Sequence, residues 1–331
     1  MKMKTLAAAI ALLALAAAPA AHAQAPALKT LEVSHFPGAI WQLLAGMDQG
    51  YFAKEGLAIH LNPVNGSVMQ INGTMDGKYD LGLTALDNII AYDAGQGEVP
   101  LKEAPDLIAF MGGEGGSLHV MGSPETKTIE SLKGKTLAVD AKGTGFAFVL
   151  YKILQMHGVT QKDYSLVAVG SSQQRLDAIM SGKAQGAVLN RPFDSLAVSK
   201  GANDLGAMSK VFPHYQSSAG MARRAWATQH RAELIGFIRA YVRGSLWIFE
   251  PRNKEAAIEL LLKNTPSLPR ATAEDIYAAT TGKGSVVSPK AALDPAGVAK
   301  VVQLRSEYGV PKKKLDARKF YDLSYYKAAT K

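Results

Sequence analysis

A strand-like run, Ala187-Val188-Leu189, stops at Asn190, Arg191 and Pro192, and apolar residues resume at Phe193, Leu196 and Ala197. An arginine held where a buried strand ends presents a planar fork of donors, the geometry that grips a carboxylate or sulfonate. The competing reading is a surface arginine paired with Asp194, an arrangement worth little in water. A second candidate is Gly143-Thr144-Gly145-Phe146, a turn into a helix whose free N–H groups suit an anion. Its start matches a dinucleotide fingerprint, but Phe148 stands where the third glycine would be, and a plain tight turn is the alternative.

Catalytic chemistry has no comparable set of residues. The chain has no Gly-x-Ser-x-Gly elbow, no Ser-x-x-Lys, no His-Glu-x-x-His and no phosphate-binding loop. It has no cysteine, which removes thiolate ligands, disulfides and a cysteine nucleophile. His35, His60, His119, His157, His214 and His230 are dispersed, with no metal-ligand spacing on one element, so neither a metal nor a cofactor is expected.

These residues depend on alternating strands and helices. Leu31 and Val33 alternate with Glu32 and Ser34 as a strand ending at His35. Ile40, Leu43, Leu44, Met47 and Tyr51 recur at helical spacing, Gly56 supplies a left-handed stop, and Leu57, Ile59 and Leu61 form the next strand. That is a β-α-β unit, the building block of a parallel sheet. The grammar repeats through Leu107–Met111, breaks at the run Gly112-Gly113-Glu114-Gly115-Gly116, and restarts at Lys135–Asp140, which makes the glycine run a candidate hinge. Past Tyr215 the pattern reads as almost wholly helical, with Asp294 as N-cap and Pro295 in the first turn of one helix.

Open α/β sheets bind ligands beyond the C-terminal ends of their strands. His35, Thr84, Asn88, Gly143, Thr144, Ser171, Gln173, Asn190 and Arg191 lie at or just past such ends, and several polar groups are expected to converge on one crevice. Phe36, Trp41, Phe146, Phe193 and Tyr215 are aromatics near strand ends or the crossover; one or two of them lining the crevice would favour a flat, partly apolar ligand.

Residues 1–23 read as an export signal. Lys2 and Lys4 precede the apolar stretch Leu6–Ala18, and Ala21-His22-Ala23 is a small-x-small site, so cleavage after Ala23 and a soluble periplasmic chain are expected. Removing that segment, which carries two lysines and no acid, lowers the formal charge from +9 to +7 and leaves 308 of 331 residues, enough for two lobes. The only tight basic run is Lys312–Lys314, so nucleic-acid binding is not expected.

Four stretches carry a family resemblance. Gly50-Tyr51-Phe52-Ala53-Lys54-Glu55-Gly56-Leu57, Gly77-Lys78-Tyr79-Asp80-Leu81-Gly82, Ser131-Leu132-Lys133-Gly134-Lys135-Thr136-Leu137-Ala138-Val139 and Leu176–Gly186 occur in this order. The chain thereby resembles the substrate-binding proteins of ABC importers for nitrate, taurine, alkanesulfonates and thiamine-pyrimidine precursors. The resemblance implies an α/β chain of the type II periplasmic binding fold, with two lobes closing on one small molecule. Residues 24–116 and the mainly helical 217–331 would form lobe I, and residues 117–216 lobe II. It also implies a monomer working with a membrane permease and ATPase, and no enzymatic activity. The related pyrimidine synthase carries a cysteine-rich motif that is impossible here. With Arg191 at a position where sulfonate-binding relatives often carry an acidic or neutral residue, a small organic anion is the expected ligand: an aromatic carboxylate first, a sulfonate next. The alternatives are a neutral thiamine-pyrimidine precursor or a periplasmic sensor module.

Overall fold

Two five-stranded sheets organise the computed structural model, which describes residues 27–331 apart from Ala39 and Ser117. The signal-peptide expectation, with its cut after Ala23, lies outside the described residues. In chain order the strands are β1 (Lys29–His35), β2 (Leu57–Pro63), β3 (Leu81–Ala85), β4 (Leu107–Gly112), β5 (Leu118–Gly122), β6 (Thr136–Val139), β7 (Ser165–Ala168), β8 (Gly186–Asn190), β9 (Asn203–Ala207) and β10 (Ser218–Arg223). The first sheet has the order β2-β1-β3-β10-β4 and the second β7-β6-β8-β5-β9. Each is parallel except for one internal strand, β10 in the first and β5 in the second, which runs antiparallel to both neighbours. Two crossovers join the sheets, from β4 to β5 through the glycine run and from β9 to β10.

The alternating pattern produces the expected β-α-β units because each helix buries an apolar stripe on its sheet. Gly56 and Gly158 take the left-handed conformation where helices end. One helical pattern divides in two: Trp41–Asp48 stops, Gly50 turns left-handed, and Tyr51–Lys54 follows as a separate turn. The larger departure is β10. Ser218–Arg223 is a buried internal strand in a region whose sequence reads as helical, and β5 and β9 likewise form where the sequence pattern predicts no strand.

After β10 the chain is helical. Arg231–Phe249 packs against the Trp41–Asp48 helix, and Phe237 fills the first lobe's core beside Phe52 (5.4 Å) and Phe110 (6.1 Å). Asp294 caps the Pro295–Tyr308 helix by accepting from the Ala296 N–H at 3.0 Å. That helix packs on Leu86–Asp93 from the first sheet and on Gly145–Met156 from the second. The Lys254–Asn264 and Arg270–Thr281 helices share a core with Trp41 on one side and with Phe193 and Leu196 on the other. No described helix is long and apolar enough to cross a membrane.

Candidate functional site

Both sheets direct the C-terminal ends of their parallel strands toward one cavity of about 290 Å³. From the first sheet come Phe36 after β1, Asn65 and Ser67 after β2, and Thr84 at the end of β3. The second contributes Asp140 after β6, Ser171 after β7 and Asn190 at the end of β8. This is where parallel α/β sheets leave backbone and side-chain polar groups unused by packing. The walls between these groups are apolar: Leu83, Met111, Leu118, Val68 and the two phenylalanines, Phe36 and Phe146. A cavity this small and this apolar suits a solute of one or two rings held by a few polar contacts.

The polar wall is pre-organised. Asn88 Nδ2 donates to Thr84 Oγ1 at 3.0 Å, and Thr144 Oγ1 donates to Asp140 Oδ1 at 2.6 Å. Arg175 donates through Nη2 to Ser172 Oγ, which donates in turn to Asn190 Oδ1. Arg175 is 3% exposed, its guanidinium lies 5.7 Å from the Phe146 ring centre, and its Nη1 is 3.5 Å from Asp140 Oδ1. Burial lowers the affinity of this guanidinium for its proton, and Asp140 opposes that shift. Two buried polar atoms on cavity-lining residues, Arg175 Nε and Ser217 Oγ, have no hydrogen-bond partner among the described residues. Buried polar atoms are ordinarily satisfied, which sets these two apart in the cavity wall.

The helix start at Gly145 is already occupied by the protein's own carboxylate. Asp87 Oδ2 accepts from the Gly145 N–H at 2.6 Å, and the same carboxylate is gripped by Arg305 through Nε (2.8 Å) and Nη2. A Cβ at Gly145 would lie 2.5 Å from Asp87 Cβ, so only glycine admits this approach between the lobes. Beside it, the Gly143 N–H donates to Glu98 Oε1 at 3.2 Å. The anion that the helix start favours is therefore Asp87, not a ligand.

Of the residues expected at the crevice, Phe36, Thr84, Asn88, Thr144, Phe146, Ser171 and Asn190 line the cavity. Gly143 sits at the lobe contact just described, and Gln173 is engaged with Asp177 on an exposed helix face. Trp41 donates from Nε1 to the Ala257 carbonyl at 3.1 Å, and Tyr215 is buried in the core. Arg191 is turned away from the cavity: its Nε lies 3.7 Å from Asp194 Oδ2, the surface-pair alternative in partly buried form. Asp194 also lies 3.8 Å from His119 Nε2, and burial pushes its carboxyl above the ordinary range. Sequence reasoning missed Arg175, Ser172 and Asp140. Asp140 ends a predicted strand and was open to the same argument as Asn190. Arg175 gives no such signal, because an arginine in a helix ordinarily reads as a solvated residue.

His35 lies behind the cavity wall, 7% exposed, with Nδ1 donating to the Phe36 carbonyl at 3.0 Å. Desolvation holds its pKa below the ordinary 6.5, against a smaller opposing effect of that hydrogen bond. The folded ring therefore takes a proton less readily than the unfolded one. As the pH falls through about 6.5 the unfolded chain protonates first, so stability is retained above that value and declines below it. The thermal midpoint should fall more steeply between about pH 6.5 and pH 5 in the wild type than in His35→Gln. Parallel curves would remove His35 from this account.

The family model described as NMT1/THI5 like matches residues 39–254, about two thirds of the chain and all cavity-lining residues except Phe36 and Pro37. The chain belongs to the NMT1/THI5-like family. No curated protein sequence matches it. Among solved structures, this family member is similar to the periplasmic nitrate-binding protein NrtA from Synechocystis PCC 6803, with TM-score 0.78 and 13% identity over 92% of this chain and 89% of that one. It is also similar to the periplasmic aliphatic sulphonate binding protein SsuA from Escherichia coli, with TM-score 0.68 and 20% identity over 90% and 99% of the two chains. The alkanesulfonate-binding protein SsuA from Xanthomonas axonopodis pv. citri, bound to MOPS, matches with TM-score 0.66 and 18% identity over 85% and 91%. These likenesses establish the periplasmic binding protein fold for this NMT1/THI5-like chain. Among the described residues no cluster of His, Cys, Asp and Glu could hold a metal ion.

Proposed function

We propose that this chain is the periplasmic solute-binding component of an ABC importer. It captures a small, flat, uncharged or cationic organic solute between its lobes and presents the closed form to a membrane permease and its ATPase. A solute that contacts both lobes favours the closed state by its differential affinity, so transport needs no covalent chemistry. The observation that carries the ligand class is the charge around the cavity. The helix start is filled by Asp87, Arg175 is faced by Asp140, and the lining residues include Glu98, Glu114 and Asp140 against the single cation Arg175. An added anion would meet carboxylates, whereas an amino-substituted heterocycle could donate to Asp140 and stack on Phe146. A neutral pyrimidine of the thiamine-precursor type has that chemistry.

The second reading is an organic anion, and Arg175 in the cavity wall favours it. The two readings separate in a thermal-shift panel on protein purified from the periplasm, with native mass spectrometry identifying any retained solute. Aminopyrimidines should raise the midpoint by several degrees, since a ligand at about 100 times its Kd stabilises by about 2.7 kcal/mol. Carboxylates and sulfonates should not. Stabilisation by an anion, with none by any neutral or cationic solute, would overturn the ligand assignment.

A further inference from the structure

We propose that Asp140 is the charge selector of the cleft: by facing Arg175 it denies carboxylate solutes the guanidinium they would need, and its removal converts the cavity into a carboxylate site. The proposal rests on the reading of this cavity as the solute site. It concerns a pair built differently from the chain's other buried pair. Arg305 holds Asp87 through two donors of its fork, with both partners 2% exposed or less. Arg175, 3% exposed, comes no nearer to Asp140 than 3.5 Å, from Nη1 to a carboxylate that retains 30% of its side-chain exposure. That separation is longer than a charge-assisted hydrogen bond of about 2.7–2.9 Å.

Asp140 Oδ1 is meanwhile bonded to Thr144 Oγ1, which anchors the carboxylate without help from the arginine. Among the described residues the Arg175 side chain has one hydrogen bond, to Ser172, and its Nε has none. The guanidinium therefore sits in the wall of an apolar cavity with most of its five donors uncommitted, and its nearest counter-charge lies across a loose contact. A carboxylate entering the cavity has a geometric match in that fork and an electrostatic obstacle in Asp140. Without Asp140, Arg175 is a buried cation lacking a counter-charge, a state that an anion from solution relieves directly.

The test uses the full mature chain, the variants Asp140→Asn and Asp140→Ala, and benzoate as the probe. Both variants should melt at a lower temperature than wild type, and benzoate should restore them while leaving the wild-type midpoint unchanged. By calorimetry the benzoate Kd of each variant should be at least tenfold tighter than that of wild type. The added substitution Arg175→Met should abolish the gain. If the variants fold only poorly, refolding yield with benzoate against equimolar sodium chloride reads the same effect. An unchanged benzoate affinity in a folded Asp140→Asn, a gain that survives Arg175→Met, or a refolding yield indifferent to benzoate would overturn the selector. Tight benzoate binding by the wild type would instead overturn the uncharged-solute reading, while the ratio between variant and wild type still judges the selector.

Discussion

Replacing Arg305 with Met should destabilise the protein by about 3–5 kcal/mol, the largest effect expected of any single charged residue here. Arg305 is 1% exposed and stacks on the Phe148 ring at 4.5 Å while its fork holds Asp87. Methionine keeps much of the apolar stem, so the packing loss is modest. The cost comes from Asp87, which would remain at 2% exposure with the Gly145 N–H as its one remaining donor. Urea unfolding followed by circular dichroism measures the change. The double variant Asp87→Leu with Arg305→Met should recover most of it, because no buried charge is then left alone. Arg270 supplies the contrast: it pairs with Glu255, Glu259 and Glu274, yet it is about half exposed, and Arg270→Met should leave the urea midpoint nearly unchanged. If the two arginines cost the same, the burial argument for Arg305 fails.

The position of Arg305 also shows what a one-dimensional pattern omits. Asp87, Gly145 and Arg305 are far apart in sequence and meet only because the Pro295–Tyr308 helix packs on helices from both sheets. What the sequence does display is local: alternation in β1 and β2, helical spacing in between, and polar residues at strand ends. For that reason Thr84, Asn88, Thr144, Ser171 and Asn190 were legible as crevice residues. One residue beyond Asn190 the strand-end pattern no longer holds, because the turn into the Phe193–Ser199 helix sets Arg191 beside Asp194. β10 was illegible for a different reason. Ser-Ala-Gly-Met-Ala-Arg has no β-branched or aromatic residue, and its extended form is dictated by β3 and β4 on either side, a tertiary context that overrides propensity. The cavity's cation was hidden by its address, since Arg175 sits inside a helix whose neighbours Leu176 and Ile179 face the core.

Trp41→Ala should cost about 3–5 kcal/mol of stability while leaving solute affinity nearly unchanged. Its place near a strand end suggests a crevice residue, where an indole would serve as a stacking platform. Its indole N–H instead donates to the Ala257 carbonyl, and its ring meets Tyr277 edge-on at 6.3 Å and 70°. It shares a core with Phe193 and Leu196 from the second sheet's side and Ile258 from a C-terminal helix, so it joins the two halves rather than touching a ligand. Truncation would open a large void there and remove the indole's bond to a helix carbonyl. Phe146 has the complementary profile: it lines the cavity beside Arg175 and is only partly buried. Phe146→Ala should weaken the retained solute at least tenfold, about 1.4 kcal/mol, with a small change in folding stability. Urea titration and calorimetry on both variants give two numbers for each residue. A Trp41 variant that folds normally and binds weakly would return the indole to the crevice. The opposite outcome divides the aromatics by what they touch: Trp41 holds the lobes in register, and Phe146 meets the solute between them.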